Sequence, residues 1–298
     1  MLEGILFEGL IYSIMVFGVY ITFRFLDFPD LTVDGSFPLG ACVTAMLLLK
    51  GFPVSIAMLL AFLAGSISGF FTALIHNKLK IPNLLAGILT MTMLYSINIR
   101  VLGNRANLPL LKVETIFTKI SNLASGLIPQ DYTVLIFLVF FVVLTKVILD
   151  VFFITDLGLS LRALGNNERF ITMIGINPEY LKLIGVSLAN GLVGLSGSLV
   201  AQYQGFADIG MGQGIIISGL ASVMLGEFFI FSKRNVFILT TGVITGSVFY
   251  KAIMYVGRFY GYYINMTPND LKLITGLLII ISIIITKFGK TQKREEQW

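Results

Sequence analysis

The sequence predicts an all-α polytopic membrane protein of about nine transmembrane helices, and three observations predict it. Hydrophobic residues make up 56% of the 298 and charged residues only 12%, where soluble domains carry charges at about 25% of positions. Runs of roughly 17–25 mostly apolar residues, the length that crosses a hydrocarbon core about 30 Å thick, recur along the whole chain. A short pattern, Gly35-SFPL-Gly40-Ala41, is echoed at Gly214-IIIS-Gly219-Leu220-Ala221, each preceded by an aspartate, Asp30 and Asp208. Two oppositely directed spans that share a pattern predict an inverted repeat.

Taken in order, the apolar runs fall at 4–23, 35–49, 53–75, 82–102, 131–151, 179–202, 211–231, 235–256 and 268–286. The second is short, and its first part is expected to be extended or re-entrant around Pro38. The sixth and seventh are glycine-rich and are expected to be broken. The longest connection, Gly103 to Gln130, is too short for a soluble domain, so residues 1–298 read as one membrane domain. The repeat halves are then about 1–103 and 179–286, with the fifth span between them. Small residues four apart (Ala61, Gly65 and Gly69; Ser187 and Gly191; Gly242 and Gly246) are expected to let helices pack closely where lipid supplies no hydrophobic drive.

The hydrophilic interruption Thr155–Glu179, TDLGLSLRALGNNERFITMIGINPE, separates two long apolar runs. Thr155 or Asp156 is expected to cap a short helix through Arg162 that stops at Gly165, and Asn166 and Asn167 to open a second, Glu168 to Ile174. Gly175 is expected to end the second in the left-handed conformation, and Asn177-Pro178-Glu179 to start the next span. Phe170, Ile171 and Ile174, with Ile174 three residues after Ile171 and four after Phe170, are expected on one side, which suits insertion into a groove on a partner.

With that stretch inside, inner loops and helix ends hold thirteen of the 21 basic residues, including those of the tail KFGKTQKREEQW, and the outer side holds eight. The C-terminus is therefore expected in the cytoplasm and, with an odd number of spans, the N-terminus outside. The net charge of +5 reads as this loop bias and not as a nucleic-acid surface. The start, MLEGILFEG, has no basic region ahead of the apolar run, so no secretory signal peptide is expected.

Cys42 is the single cysteine and His76 the single histidine, so a disulfide, a cysteine-built metal site and metal catalysis are not expected. No phosphate loop, H-E-x-x-H or Ser–His–Asp set occurs, which argues against an enzyme and against ATP hydrolysis by this chain. Glu8, Lys146, Lys182, Glu227 and Lys251 fall within or at the ends of spans, where an ion must pair or reach water; Lys146 and Lys182 are expected to snorkel inward. Asp27, Asp30 and Asp34 cluster before the second span, with Asp34 placed to cap it or to line an inner gate. Irregular backbone at membrane depth must face protein or water, so the two echoed segments, with Asp34, Gly35, Ser36, Phe37, Gly40, Gln213, Gly214, Ser218 and Gly219, are expected to line a solute path. Leucine at Gly40 or Gly219 is expected to block that path without unfolding the chain.

The run Arg162-Ala163-Leu164-Gly165-Asn166-Asn167, then Ile174-Gly175-Ile176-Asn177, Ser187-Leu188-Ala189 and Gly191-Leu192-Val193-Gly194-Leu195-Ser196-Gly197, resembles the signature of ABC-importer permeases of the branched-chain amino acid and ribose-type branch. Asp30-Leu31-Thr32-Val33-Asp34-Gly35-Ser36-Phe37 with Gly40-Ala41 is similar to the subgroup associated with aromatic or branched-chain amino acid uptake. The resemblance covers nearly the whole chain. It implies a type II-like permease fold in the plasma (inner) membrane, with two permease copies around a path, two separate ATPase subunits and an extracytoplasmic substrate-binding protein. It also implies that Arg162, Gly165, Asn166, Asn167, Glu168, Phe170, Ile171, Ile174, Gly175, Ile176 and Asn177 form the cytoplasmic region that couples to the ATPase, with no cofactor. The aromatic stretch GRFYGYYINMTPND and the 103–130 connection are read as an interfacial belt or a docking face for the binding protein. Three alternatives stay open, one of them a receptor or structural membrane subunit without transport. An ion-coupled secondary transporter would want intramembrane acids and would give the Thr155–Glu179 stretch no purpose. An ABC permease for a sugar or nucleoside would differ only in substrate.

Overall fold

The structure is a computed structural model that describes residues 2–111, 113–123, 129–229, 235–261, 273–277 and 280. In chain order it comprises α1 (Leu2–Tyr20) continued by a π-helical turn (Ile21–Phe25), α2 (Val33–Leu49), α3 (Val54–Leu79), α4 (Asn83–Val101), β1 (Asn107–Pro109) and α5 (Ile116–Leu123). There follow α6 (Gln130–Ile154), α7 (Asp156–Asn166), α8 (Glu168–Met173), α9 (Pro178–Gln204), β2 (Phe206–Asp208), a 3-10 turn (Ile209–Gly212), α10 (Ile215–Phe229) and α11 (Val236–Gly261). Among the described residues seven helical segments are long and apolar enough to cross a membrane, and the expected second span is the shorter α2. Of the expected ninth, 268–286, only 273–277 and 280 are described, so that span lies outside the described residues, as does the basic tail.

The hub is α9. It is 27 residues long, about 40 Å at 1.5 Å per residue, and α1, α2 and α3 pack along it. Side chains added at Gly65 and Gly69 of α3 would enter the carbonyls of Asn190 and Val186, and one at Gly40 of α2 would enter that of Gly194. One turn to either side of Gly40, Ser36 donates to Asn190 Oδ1 at 2.7 Å and Thr44 to Ser198 Oγ at 2.7 Å. Two helices are thus joined by polar, small and polar positions facing their equals. Interhelical hydrogen bonds and small residues take the place of hydrophobic drive in lipid.

Two expected breaks resolve differently. Despite its glycines α9 is unbroken, because those glycines face neighbouring helices. The expected seventh span is broken: after α9 the chain turns at Gly205 in the left-handed conformation, forms β2 and the 3-10 turn, and enters α10 only after Gly214, at φ +75°. Nor is α2 re-entrant around Pro38. The helix runs from Val33 through Pro38, which falls early enough to free one carbonyl, that of Asp34, and Gly212 packs against it. The irregular backbone lies earlier, at 26–32.

The molecule has two ends. At one, α7 and α8 lie beside the close of α1 and the start of α9, and Asn77 of α3 donates to the Glu179 carbonyl at 2.9 Å. At the other, β1 pairs antiparallel with β2, Asn107 opposite Asp208, tying the α4–α5 connection to the α9–α10 connection.

Charged side chains among the described residues pair across helices. Glu8 meets Lys251 at 3.1 Å, Arg24 meets Glu227 at 2.6 Å, and Lys182 meets Glu168 at 2.9 Å. Lys146 does not snorkel. It is 5% exposed, bonds Asp150 at 2.5 Å and lies 3.4 Å above the Phe237 ring, while Thr240 donates to the other Asp150 oxygen at 2.6 Å.

Candidate functional site

Asp30 is buried and accepts hydrogen bonds from Thr32 N at 2.9 Å and from Asn190 Nδ2 at 2.6 Å. Asn190 lies twelve residues into α9, about 18 Å from its start. The irregular 26–32 segment therefore descends to the middle of the bundle before α2 begins. From the opposite side the chain after β2 descends to the same level before α10 begins. The two helix starts meet at Asp34, whose carboxylate accepts from Gly214 N at 3.0 Å and Ile216 N at 2.9 Å. Asp34 was expected to cap its own helix. It sits one residue inside α2 and caps α10 instead, satisfying donors that begin a helix and placing negative charge at its positive end.

Beside this junction is a cavity of about 380 Å³ that reaches toward the hairpin end. Gly4, Glu8 and Tyr12, four residues apart on α1, line one wall; Gln213, Gly214 and Ser218 line the floor; Tyr250, Lys251 and Arg258 of α11 close the other side. Of the residues expected along a path, Gln213, Gly214 and Ser218 are at the cavity. Phe37 lies one layer behind it, fully buried and stacked on Tyr12 at 5.8 Å between ring centroids. Gly35, Ser36 and Gly40 are buried in helix contacts, and Gly219 packs on Val19 and Met15 of α1. These four do not line the cavity of the subunit described here. The echoed Gly-x4-Gly pattern that drew attention to them places its glycines five residues apart, whereas Ser36, Gly40 and Thr44, four apart, form the face that packs on α9. Glu8, Tyr12 and Lys251 were not placed at a site from sequence; the Gly4, Glu8, Tyr12 spacing on one helix face was the available signal.

At the other end the short helices form largely as expected. Thr155 caps α7 by accepting from Gly158 N at 3.3 Å, Asn167 caps α8 by accepting from Phe170 N at 3.1 Å, and Asn177 caps α9 by accepting from Glu179 N at 2.9 Å. Gly175 holds φ +82° after α8. Gly165 does not end α7: the helix continues to Asn166, and Gly165 is there because the Phe25 carbonyl presses on it. Arg162 stands 5.5 Å from the Phe25 ring centroid.

The docking face differs from the one expected. Ile171 is fully buried, with Leu161 and Leu164 of α7, so the short helices are held by their own chain. The exposed apolar side chains are Phe170 at 50%, Met173 at 83% and Ile174 at 52%. Residues 170, 173 and 174 are the set at i, i+3, i+4, whereas 170, 171 and 174 stand at i, i+1, i+4. Asn166, Asn167, Glu168, Ile176 and Asn177 lie beside this face, with Ile176 half-buried.

Comparison with known proteins gives a consistent picture. A family profile described as "Branched-chain amino acid transport system / permease component" matches residues 1–283. The chain is 40% identical over 277 residues to the tyrosine transport system permease protein of Clostridioides difficile, covering 93% of this chain and 88% of that one. It is 33% identical to an uncharacterized protein of Rickettsia prowazekii, covering 94% and 95%. An autoinducer 2 import system permease protein of Salmonella typhimurium is 24% identical, over 75% of this chain and 61% of that protein. No solved structure matches.

Proposed function

As the chain belongs to the branched-chain amino acid transport permease family, and is thus a multi-pass plasma-membrane protein of the ABC-type permease class, we propose that it is the membrane subunit of an ATP-driven amino acid importer. The observation that carries this is the division of the molecule into a cavity at one end and an exposed apolar helix, α8, at the other. The proposed solute is an aromatic or branched-chain amino acid, supported by the 40% identity to a protein named for tyrosine transport. An extracytoplasmic binding protein delivers it at the hairpin end. It enters a path that includes Gln213, Gly214 and Ser218, formed with a second copy of this permease. Two ATPase subunits dock on α8, so the short-helix end and the C-terminus are cytoplasmic and the N-terminus is outside. In the same reading there are nine spans, and the meeting of the starts of α2 and α10 supports an inverted repeat.

Phe170, Met173 and Ile174 are the proposed ATPase anchors. Truncating a well-buried interface anchor costs about 2 kcal/mol or more. Phe170→Ala with Met173→Ala is therefore expected to weaken ATPase binding at least tenfold and to lower transport with it. Gly175→Val forces a β-branched residue to positive φ, so it is expected to tilt α8 and leave ATP hydrolysis uncoupled from transport. Both are read in proteoliposomes holding permease, ATPase and binding protein, supplied with L-tyrosine, L-leucine or D-ribose. Normal transport by both variants removes the coupling role from α8, and uptake of D-ribose alone replaces the amino acid reading with a sugar one.

A further inference from the structure

Cargo recognition in the reading above rests with a separate binding protein, yet the cavity of this subunit carries charges of its own. Lys251 Nζ lies 3.1 Å from Glu8 Oε2 and 3.3 Å from the centroid of the Tyr12 ring. The Lys251 side chain is 16% exposed and that of Glu8 39%. Arg258, two turns further along α11, lines the same cavity, and much of the remaining wall is apolar or aromatic, with Ile5, Ile217, Tyr250 and Met254. An ammonium has three donors and a carboxylate about four acceptor positions, so one mutual bond leaves both groups with capacity.

We propose that this cavity is a recognition site of the permease itself for a zwitterionic amino acid with an apolar or aromatic side chain, its carboxylate on Lys251 and Arg258 and its ammonium on Glu8. The proposal rests on the importer reading and names the residues that would select its cargo. The charge balance favours a zwitterion. Glu8 and Lys251 neutralise each other when the cavity is empty, and a zwitterion splits the pair into two pairs with no net charge added. A simple carboxylate or amine that engages this pair makes one new pair and leaves the other partner with less than it had, where an unpaired ion is costly, while Arg258 is exposed and can be hydrated without a partner. A sugar has no charge to offer either group. Such a site discriminates by leaving partly buried charges unmatched when the wrong solute enters. The volume, about 380 Å³, falls at the small end of the roughly 300–1,000 Å³ typical of small-molecule sites.

The test is equilibrium binding to the detergent-purified permease–ATPase complex without binding protein. The probes are L-tyrosine and L-leucine, each beside its decarboxylated amine and its deaminated acid. The unaltered complex is expected to bind one of the amino acids saturably and at least about tenfold more tightly than either analogue, the scale of one charged hydrogen bond. Glu8→Gln is expected to weaken the amino acid at least tenfold without weakening the deaminated acid; Lys251→Met is expected to weaken the amino acid likewise without weakening the amine. Absence of saturable binding, equal binding of all three ligands, or equal weakening of all three by either variant would overturn the site and leave the pair as a tie between α1 and α11. The preference order of the unaltered complex decides the matter even if a variant does not fold. Uptake of L-tyrosine or L-leucine in proteoliposomes without cavity binding overturns this proposal alone. Uptake of D-ribose and of neither amino acid overturns the importer reading beneath it.

Discussion

Gly40→Leu is expected to remove the folded subunit from the membrane. The obstacle at Gly40 is the backbone carbonyl of Gly194, which cannot rotate aside as a side chain would, so α2 and α9 must separate. Separation stretches the Ser36–Asn190 and Thr44–Ser198 hydrogen bonds one turn away on either side. Overpacking alone costs about 1–3 kcal/mol, and each interhelical bond adds on the order of 0.6 kcal/mol in a membrane. Gly219 is a useful contrast, since a Cβ there meets the side chains of Val19 and Met15 at 2.9 and 3.1 Å, and these have rotamers to use. Fluorescence-detected size exclusion and thermal unfolding in detergent are expected to show loss of the Gly40→Leu protein and only a lowered melting temperature for Gly219→Ala. A Gly40→Leu subunit that purifies with unaltered melting temperature but does not transport would restore the path-lining role the sequence suggested.

Lys146→Met is the second large effect expected. It leaves Asp150 7% exposed and, among the described residues, held by Thr240 alone. Removing one partner of a buried ion pair is typically destabilising by about 3–5 kcal/mol, whereas replacing both with apolar residues is often neutral. The expected order of melting temperatures is therefore Lys146→Met well below the unaltered protein, with Lys146→Met/Asp150→Leu recovering most of the difference. If the single and double variants melt together near the unaltered protein, the pair is exposed to water or lipid headgroups in the membrane and the close packing of α6 on α11 at Lys146 is not retained there.

What the sequence reveals here is mainly local. Caps at Thr155, Asn167 and Asn177, the left-handed turn at Gly175 and the break before α10 each depend on a few neighbouring residues, and each is found where the residues placed it. Errors arise where the deciding partner is distant in the chain. Asp34 suits a cap wherever a helix start is near; only the tertiary fold says that the start belongs to α10, 180 residues on. Gly40 and Gly219 sit in the same motif and meet different neighbours, one a backbone and one side chains. Ile171 and Met173 exchange roles because Ile171 is buried against α7 while Met173 is exposed. Lys146 and Asp150 are an exception, being four residues apart and so legible as a helix pair, but a position at the end of an apolar run hid the acid among loop charges.

The polar and small positions that join α2 to α9 also set an order of assembly. Ser36 and Asn190, like Thr44 and Ser198, are 154 residues apart. At a synthesis rate of about 5–20 residues per second, α2 leaves the ribosome on the order of ten seconds or more before its partner exists. Through that interval its serine and threonine hydroxyls and the notch at Gly40 face lipid or the insertion machinery. The first helices to enter the bilayer are thus held as an unfinished intermediate, and the subunit closes around α9 only once more than two-thirds of the chain has been made.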